Sequence, residues 1–207
     1  MFHLTTVDSA TYCLLKELFT ISYINNQFAL ADGTSLSLQI GHRHSIDLDL
    51  FSTSPFIIEE LKNNLANHKN FEFELVGENS RMLFVNLNGV KCDFVQEPAK
   101  LLLPFRKMED ISLFTVEDIA AMKLHTICGR GKKKDFFDIY SLLKLYKWED
   151  LLLWFKKKYS SSQFYFLWRS INYFEDAERN PDIKGFPPFT ASWNEIKQFI
   201  HKTCVSQ

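Results

Sequence analysis

An α+β fold, a mixed sheet with helices followed by a C-terminal helical bundle, is the architecture this 207-residue chain predicts. Three observations carry that expectation. Ile46 to Phe51 alternates apolar and polar side chains, the period-two signature of a half-buried strand. Asn88-Gly89 separates two further strand-like runs, 82–87 and 90–95, and is the strongest short hairpin signal in the chain. From Pro104 onward the apolar residues recur at helical spacing instead. The joint is expected near 97–110, giving an α/β core over 1–103 and a helical domain over 104–207.

The elements follow in order. Asp8 or Ser9 can cap a first helix through about Asn26, with Tyr12, Leu15, Leu18, Phe19 and Tyr23 as its apolar stripe. Phe28 to Ala31 reads as a short strand, and Asp32-Gly33-Thr34 then opens a brief helix that stops at Gly41. After the Ile46–Phe51 strand, Ser54-Pro55 offers an N-cap and an N1 proline for a helix to about His68. Phe71 to Val76 and the two hairpin strands complete the sheet. Helices are predicted over 115–128, 132–146, 148–159, 163–174 and 192–203, the first opened by a Thr115/Asp118 capping pair.

Composition narrows the class. Hydrophobic residues make up 46% and charged residues 24%, the balance of a folded globular protein, and a formal net charge of -1 supplies no global field toward nucleic acid or membrane. Cys13, Cys92, Cys128 and Cys204 form no C-x-x-C pair, so neither a zinc site nor a disulfide framework is signalled. The first residues lack the basic flank and apolar core of a signal peptide, and no run reaches the roughly 18 apolar residues of a membrane span. A cytoplasmic protein without membrane contact is expected.

Chemistry concentrates on Asp47 and Asp49. Residues two apart on a strand share a face, so both carboxylates project together. At about 4 Å they would repel by roughly 4 kcal/mol at an effective dielectric near 20. A divalent cation is the usual remedy, and hard oxygen ligands favour Mg²⁺ or Mn²⁺ over zinc. The alternative is a plain polar strand face. Asp93, between Cys92 and Phe94 on the second hairpin strand, would add a third carboxylate for a two-metal site, or would merely face solvent. Gly33-Thr34, where a strand meets a helix N-terminus, can admit phosphate to free backbone N–H groups; alone it is an ordinary turn.

The run from Ala31 to Phe51 resembles the first motif of the AbiEii/AbiGii-type nucleotidyltransferases, which reads GGTAL, then a glycine, HR, S and D-x-D-F. Lys123 to Arg130 (K-x6-R) and Lys134-Asp135-Phe136-Phe137-Asp138 resemble that family's K-x6-R and K-D-x-x-D elements. The likeness implies a polymerase-beta-like nucleotidyltransferase fold, NTP and Mg²⁺ as co-substrates, and a toxin of a toxin–antitoxin or phage-abortive system. It implies Asp47, Asp49 and Asp93 as metal ligands, and Gly33 and Thr34 as a phosphate cradle with Arg43 and Ser45 beside them. It further implies Lys123, Arg130 and Lys134 on the triphosphate, and Asp135 or Asp138 orienting or deprotonating the acceptor. The acceptor implied is RNA, in particular a tRNA end, and the partner an antitoxin protein. The helical domain would complete the active cleft.

Residue chemistry leaves alternatives beside these roles. Lys123 and Arg130, seven apart, share a helical face if the helix survives Gly129, or form a solvated basic helix end. Asp135 and Asp138 suit a helix N-terminus equally well. His42 and His44 could pair on a metal, or orient the loop while Arg43 anchors carboxylates or the fold. The Lys132-Lys133-Lys134 run could steer RNA or form a solvated turn. One position departs from the family pattern: Asp32 stands where its first glycine belongs, and a carboxylate there would repel a triphosphate. Two other functions therefore stay open, a small-molecule nucleotidyltransferase of antibiotic-modifying type and a catalytically weakened nucleotide-binding module.

Overall fold

A computed structural model of the chain describes residues 2–160 and 162–205. It divides into two compact units, Met1–Thr115 and Val116–Gln207.

The first unit is built on a seven-stranded mixed sheet. Helix α1 (Ser9–Thr20) starts where sequence predicts: the Asp8 carboxylate accepts from the Thr11 backbone N–H at 2.9 Å and from its hydroxyl at 2.7 Å. Those bonds hold the Asp8 carboxyl below its usual range. The single helix expected through Asn26 is two, because Ile21 is extended between α1 and α2 (Ser22–Gln27). Thr20, Ile21 and Ser22 are all weak helix formers, and one turn of low propensity is enough to break it.

Strand β1 (Ala29–Leu30) leads into α3 (Asp32–Ile40), which stops at Gly41 as predicted. Strand β2 (Leu48–Ser52) follows. Helix α4 (Ile58–Ala66) starts later than Ser54-Pro55 suggested. The Ser54 N–H is turned back onto the Ser52 hydroxyl (3.2 Å), and the first-turn role passes to Ile57, whose N–H donates to the Tyr23 hydroxyl at 3.0 Å.

Strands β3 (Phe73–Asn79), β4 (Met82–Leu87) and β5 (Val90–Gln96) form an antiparallel meander, its second turn the predicted Asn88-Gly89 hairpin. Asn88 and Gly89 both take positive φ, 53° and 80°, the backbone a two-residue hairpin with native twist requires. Beyond the expected Leu103 boundary the chain stays in the sheet, in a hairpin of β6 (Arg106–Met108) and β7 (Ile111–Leu113). Three-residue strands are too short to show alternation, and all of β7 is buried, so its pattern does not read as a half-exposed strand.

The strand order is β3-β4-β5-β2-β1-β7-β6, with β2/β5 and β1/β7 parallel and the other pairs antiparallel. Leu48 and Leu50 of β2, Leu83 and Val85 of β4, and Cys92 and Phe94 of β5 face a common core with Leu15, Leu18, Phe28, Leu61 and Leu65. The Phe28 ring meets Phe94 edge-on at 5.3 Å.

The second unit is helical among its described residues: α5 (Val116–Gly129), α6 (Lys133–Leu143), α7 (Trp148–Lys158), α8 (Ser162–Ser170), α9 (Glu175–Glu178) and α10 (Trp193–Val205). Helix α5 packs against α6, α7 and α8, and α10 lies on α6. Helix α8 ends before the expected Phe174, whose ring packs instead on Phe136 (4.9 Å) and Trp193 (5.7 Å). Asp118, expected to cap α5, carries a buried ion pair with Lys158 at 2.8 Å.

Candidate active site

Strand alternation places the acidic residues. Along β2 the burial pattern alternates, with Leu48 and Leu50 enclosed and Asp49 half-buried on the opposite face. Along β5, Cys92 and Phe94 are enclosed and Asp93 is likewise half-buried. The two strands run parallel with Asp49 and Asp93 as direct Cα partners, so their side chains stand on one face as neighbours. Asp47, also half-buried, lies immediately before β2. The sheet thus brings together the three carboxylates that sequence singled out. Asp93 Oδ1 is buried and has no hydrogen-bond partner among the described residues. A carboxylate oxygen withdrawn from water and left unpaired is costly, and a cation would satisfy it.

A lysine that the sequence reading passed over stands beside them. Lys91, two residues before Asp93 on β5, donates to Asp93 Oδ2 at 2.5 Å. Partial burial pulls its ammonium down, but the Asp93 hydrogen bond and the charges of Asp93, Asp49 and Asp47 outweigh that and raise it. The signal was present as K-x-D on a strand, whose period sets both residues on one face. The same carboxylates and the burial of Cys92 push the Cys92 thiol far up, which makes it an inert core group.

The Gly33-Thr34 turn is tied to the acidic strand from within. The Thr34 hydroxyl, fully enclosed, donates to the Asp47 carbonyl and lies 2.8 Å from the Ser45 hydroxyl. Ser45 is buried as well. Gly33 is packed against protein rather than open space: a Cβ there would stand 2.5 Å from Arg43 Nη2, and the guanidinium would have to shift. The buried Arg43 guanidinium also donates to the His44 carbonyl at 2.9 Å. Thr34, Ser45 and Arg43 side chains therefore build the loop, and at the start of α3 Gly33, Thr34 and Ser35 are buried while Asp32 is half-buried. His42 is buried and His44 exposed, which does not fit a metal pair.

Asp32 takes φ of 49°, the left-handed region. Glycine enters that region freely; Asp and Asn are the side chains that tolerate it best. Asp32 thus stands at a position whose backbone glycine would also adopt without strain.

In the helical unit, Lys123, Asp135 and Asp138 do come together, in a closed cluster. The Lys123 ammonium is fully buried, 3.0 Å from Asp135 Oδ1 and 2.8 Å from Asp138 Oδ2. Asp135 Oδ2 accepts from the Lys132 backbone N–H at 3.1 Å and so closes the start of α6. Arg130 is exposed beyond the end of α5, so the structure does not pair it with Lys123 on one open face. It lines a groove of about 290 Å³ with Phe166, Arg169 and Tyr173. Of the basic run, Lys132 is exposed, Lys134 half-buried, and Lys133 buried with its ammonium 2.9 Å from Asp182.

The family model for the nucleotidyl transferase AbiEii toxin of type IV toxin–antitoxin systems matches residues 13–200. The chain belongs to that family. An uncharacterized protein of Aquifex aeolicus (strain VF5), aq_aa25, is 32% identical over 183 residues, 86% of this chain and 87% of its own. Two solved structures share the fold. MenT4, a nucleotidyltransferase toxin of Mycobacterium tuberculosis H37Rv, superposes with a TM-score of 0.53 at 14% identity, over 96% of this chain and 87% of its own. JHP933 of Helicobacter pylori superposes with a TM-score of 0.52 at 17% identity, over 94% and 90%. This AbiEii-family protein is accordingly a nucleotidyltransferase toxin with an NTP as its substrate. No helix among the described residues is long and apolar enough to cross a membrane.

The carboxylate face of this nucleotidyltransferase suits a hard divalent cation in donor type and in the unpartnered Asp93 oxygen. Among the described residues no three His, Cys, Asp or Glu side chains are already gathered as a ligand set. Lys91 holds Asp93 instead.

Proposed function

We propose that this toxin transfers a nucleoside monophosphate from NTP to an RNA acceptor, with a tRNA end as the expected class, at the Asp47–Asp49–Asp93 face. The observation that carries the metal and catalytic assignment is the in-register Asp49/Asp93 pair with its buried, unpartnered oxygen. Asp47, Asp49 and Asp93 would hold Mg²⁺ or Mn²⁺, which supplies charge stabilisation for phosphoryl displacement. In the reaction the acceptor oxygen bonds to the α-phosphorus, pyrophosphate leaves, and the hydroxyl proton is released.

The chain's own residues set the geometry. Thr34 holds Asp47 through its carbonyl, Ser45 lies against the Thr34 hydroxyl, and Arg43 fixes the loop against Gly33. The backbone N–H groups opening α3 would receive phosphate. Lys123, Asp135 and Asp138 act here as a buried cluster fixing α5 against α6, because the Lys123 ammonium already meets two carboxylates. Exposed Lys132 and Arg130 favour a polyanionic acceptor over a cationic small molecule.

Purified protein incubated with each labelled NTP, Mg²⁺ and total RNA tests this directly. Label in a short RNA fraction is the expected result. Label in small molecules but no RNA would overturn the acceptor assignment. Expressed alone, the chain should slow bacterial growth; Asp49→Asn or a cognate antitoxin should relieve it.

A further inference from the structure

Lys91 raises a question that the three carboxylates leave open. Its ammonium sits 2.5 Å from Asp93 Oδ2, within the combined field of Asp93, Asp49 and Asp47, on the face assigned to the divalent cation. Nothing in the β5 pattern demands a cation there. The side chain is 55% exposed, so it reaches in from solvent and is not a core residue. Asp93, by contrast, is only 13% exposed, and its other oxygen has no partner among the described residues. The ammonium therefore neutralises Asp93 at one oxygen and leaves the other without a partner among the described residues.

We infer that Lys91 is a tethered counter-cation that occupies Asp93 in the metal-free protein and competes with the divalent ion for it. The inference rests on the metal-site reading above. Because the ammonium carries one charge and the incoming ion two, the ion wins; because the tether is flexible, Lys91 can swing outward without moving β5. Its role is to position and release Asp93, and to offset the Asp93 charge beside Asp49 and Asp47 when no ion is bound. The metal-free protein is then stable at the cost of a weakened apparent affinity for its ion.

Two measurements on the intact chain, freed of metal, test this. Mn²⁺ binding is titrated by calorimetry and by the loss of free-ion paramagnetic signal, in wild type, Lys91→Met, Lys91→Arg and Asp49→Asn. Lys91→Met should bind Mn²⁺ roughly three- to tenfold more tightly, the size expected for removing one partly screened positive charge beside a dication. Lys91→Arg should stay near wild type. Without metal, Lys91→Met should melt lower than wild type, and Asp93→Asn should suppress that difference. Equal or weaker Mn²⁺ binding by Lys91→Met, with wild type binding well and Asp49→Asn not, would overturn the competition and leave the metal site standing. Absence of Mn²⁺ binding in both wild type and Lys91→Met would overturn the metal site and the competition together.

Discussion

Two charged clusters in this molecule share an inventory and differ in how they close. On the sheet, Asp47, Asp49 and Asp93 are half-buried and face one lysine that is largely in solvent. In the helical unit, Asp135 and Asp138 close on Lys123 with no exposed surface on the ammonium. In the first, Lys91 meets Asp93 at one oxygen, and the other oxygen of Asp93 is buried without a partner among the described residues. The second is satisfied internally and screened from water. The open cluster is the one proposed to take an ion; the closed one fixes helices. Both were legible as D-x-D and K-D-x-x-D strings, but only burial separates their roles.

The largest effect is expected where the closed cluster is broken. Lys123→Met leaves two buried carboxylates without their cation and should cost about 3–5 kcal/mol, seen as a large fall in the urea midpoint. A variant that unfolds at the wild-type midpoint would show that this cluster opens to solvent, and would return Lys123 to the triphosphate.

A middle-sized effect is expected at Thr34. Thr34→Val removes the hydroxyl that bonds the Asp47 carbonyl and Ser45, at about 1–2 kcal/mol of stability. Since that hydroxyl lies inside the fold, kcat should fall while KM for NTP moves little. A raised KM with unchanged kcat would mean that Thr34 meets phosphate itself.

Asp32→Gly is the mildest change. Glycine relieves a left-handed backbone that costs roughly 1 kcal/mol for an ordinary side chain, but it adds unfolded-state freedom and removes an anion from the first turn of α3, so stability should scarcely move. If the carboxylate repels triphosphate, KM for NTP should drop about fivefold. An unchanged KM would place the charge away from phosphate.

Much of the sheet unit was written in period-two alternation and in Asn88-Gly89, which is why the Asp49/Asp93 face could be foreseen before strand order was known. The order itself, with β5 beside β2, could not: parallel pairing joins residues far apart in sequence and leaves no local mark. The β6–β7 hairpin escaped because three-residue strands carry no period. Gly33 was read as room for a ligand, whereas the close neighbour is the Arg43 guanidinium, ten residues on. Lys123 looked like a surface cation because two-turn spacing says which residues share a face, not whether that face meets water or carboxylates. Lys91 was overlooked because its meaning lies in what Asp93 lacks.

Transfer by Asp47→Asn and Asp49→Asn, measured with labelled NTP beside their melting temperatures, is the most direct test of the carboxylate face. Both carboxylates are half-buried and not core, so both variants should fold, with a metal-free melting temperature equal to wild type or higher as like-charge repulsion is relieved. Transfer should fall by at least about a hundredfold, the loss of roughly 3 kcal/mol of transition-state stabilisation. Full transfer activity in both variants would place the chemistry elsewhere on the molecule.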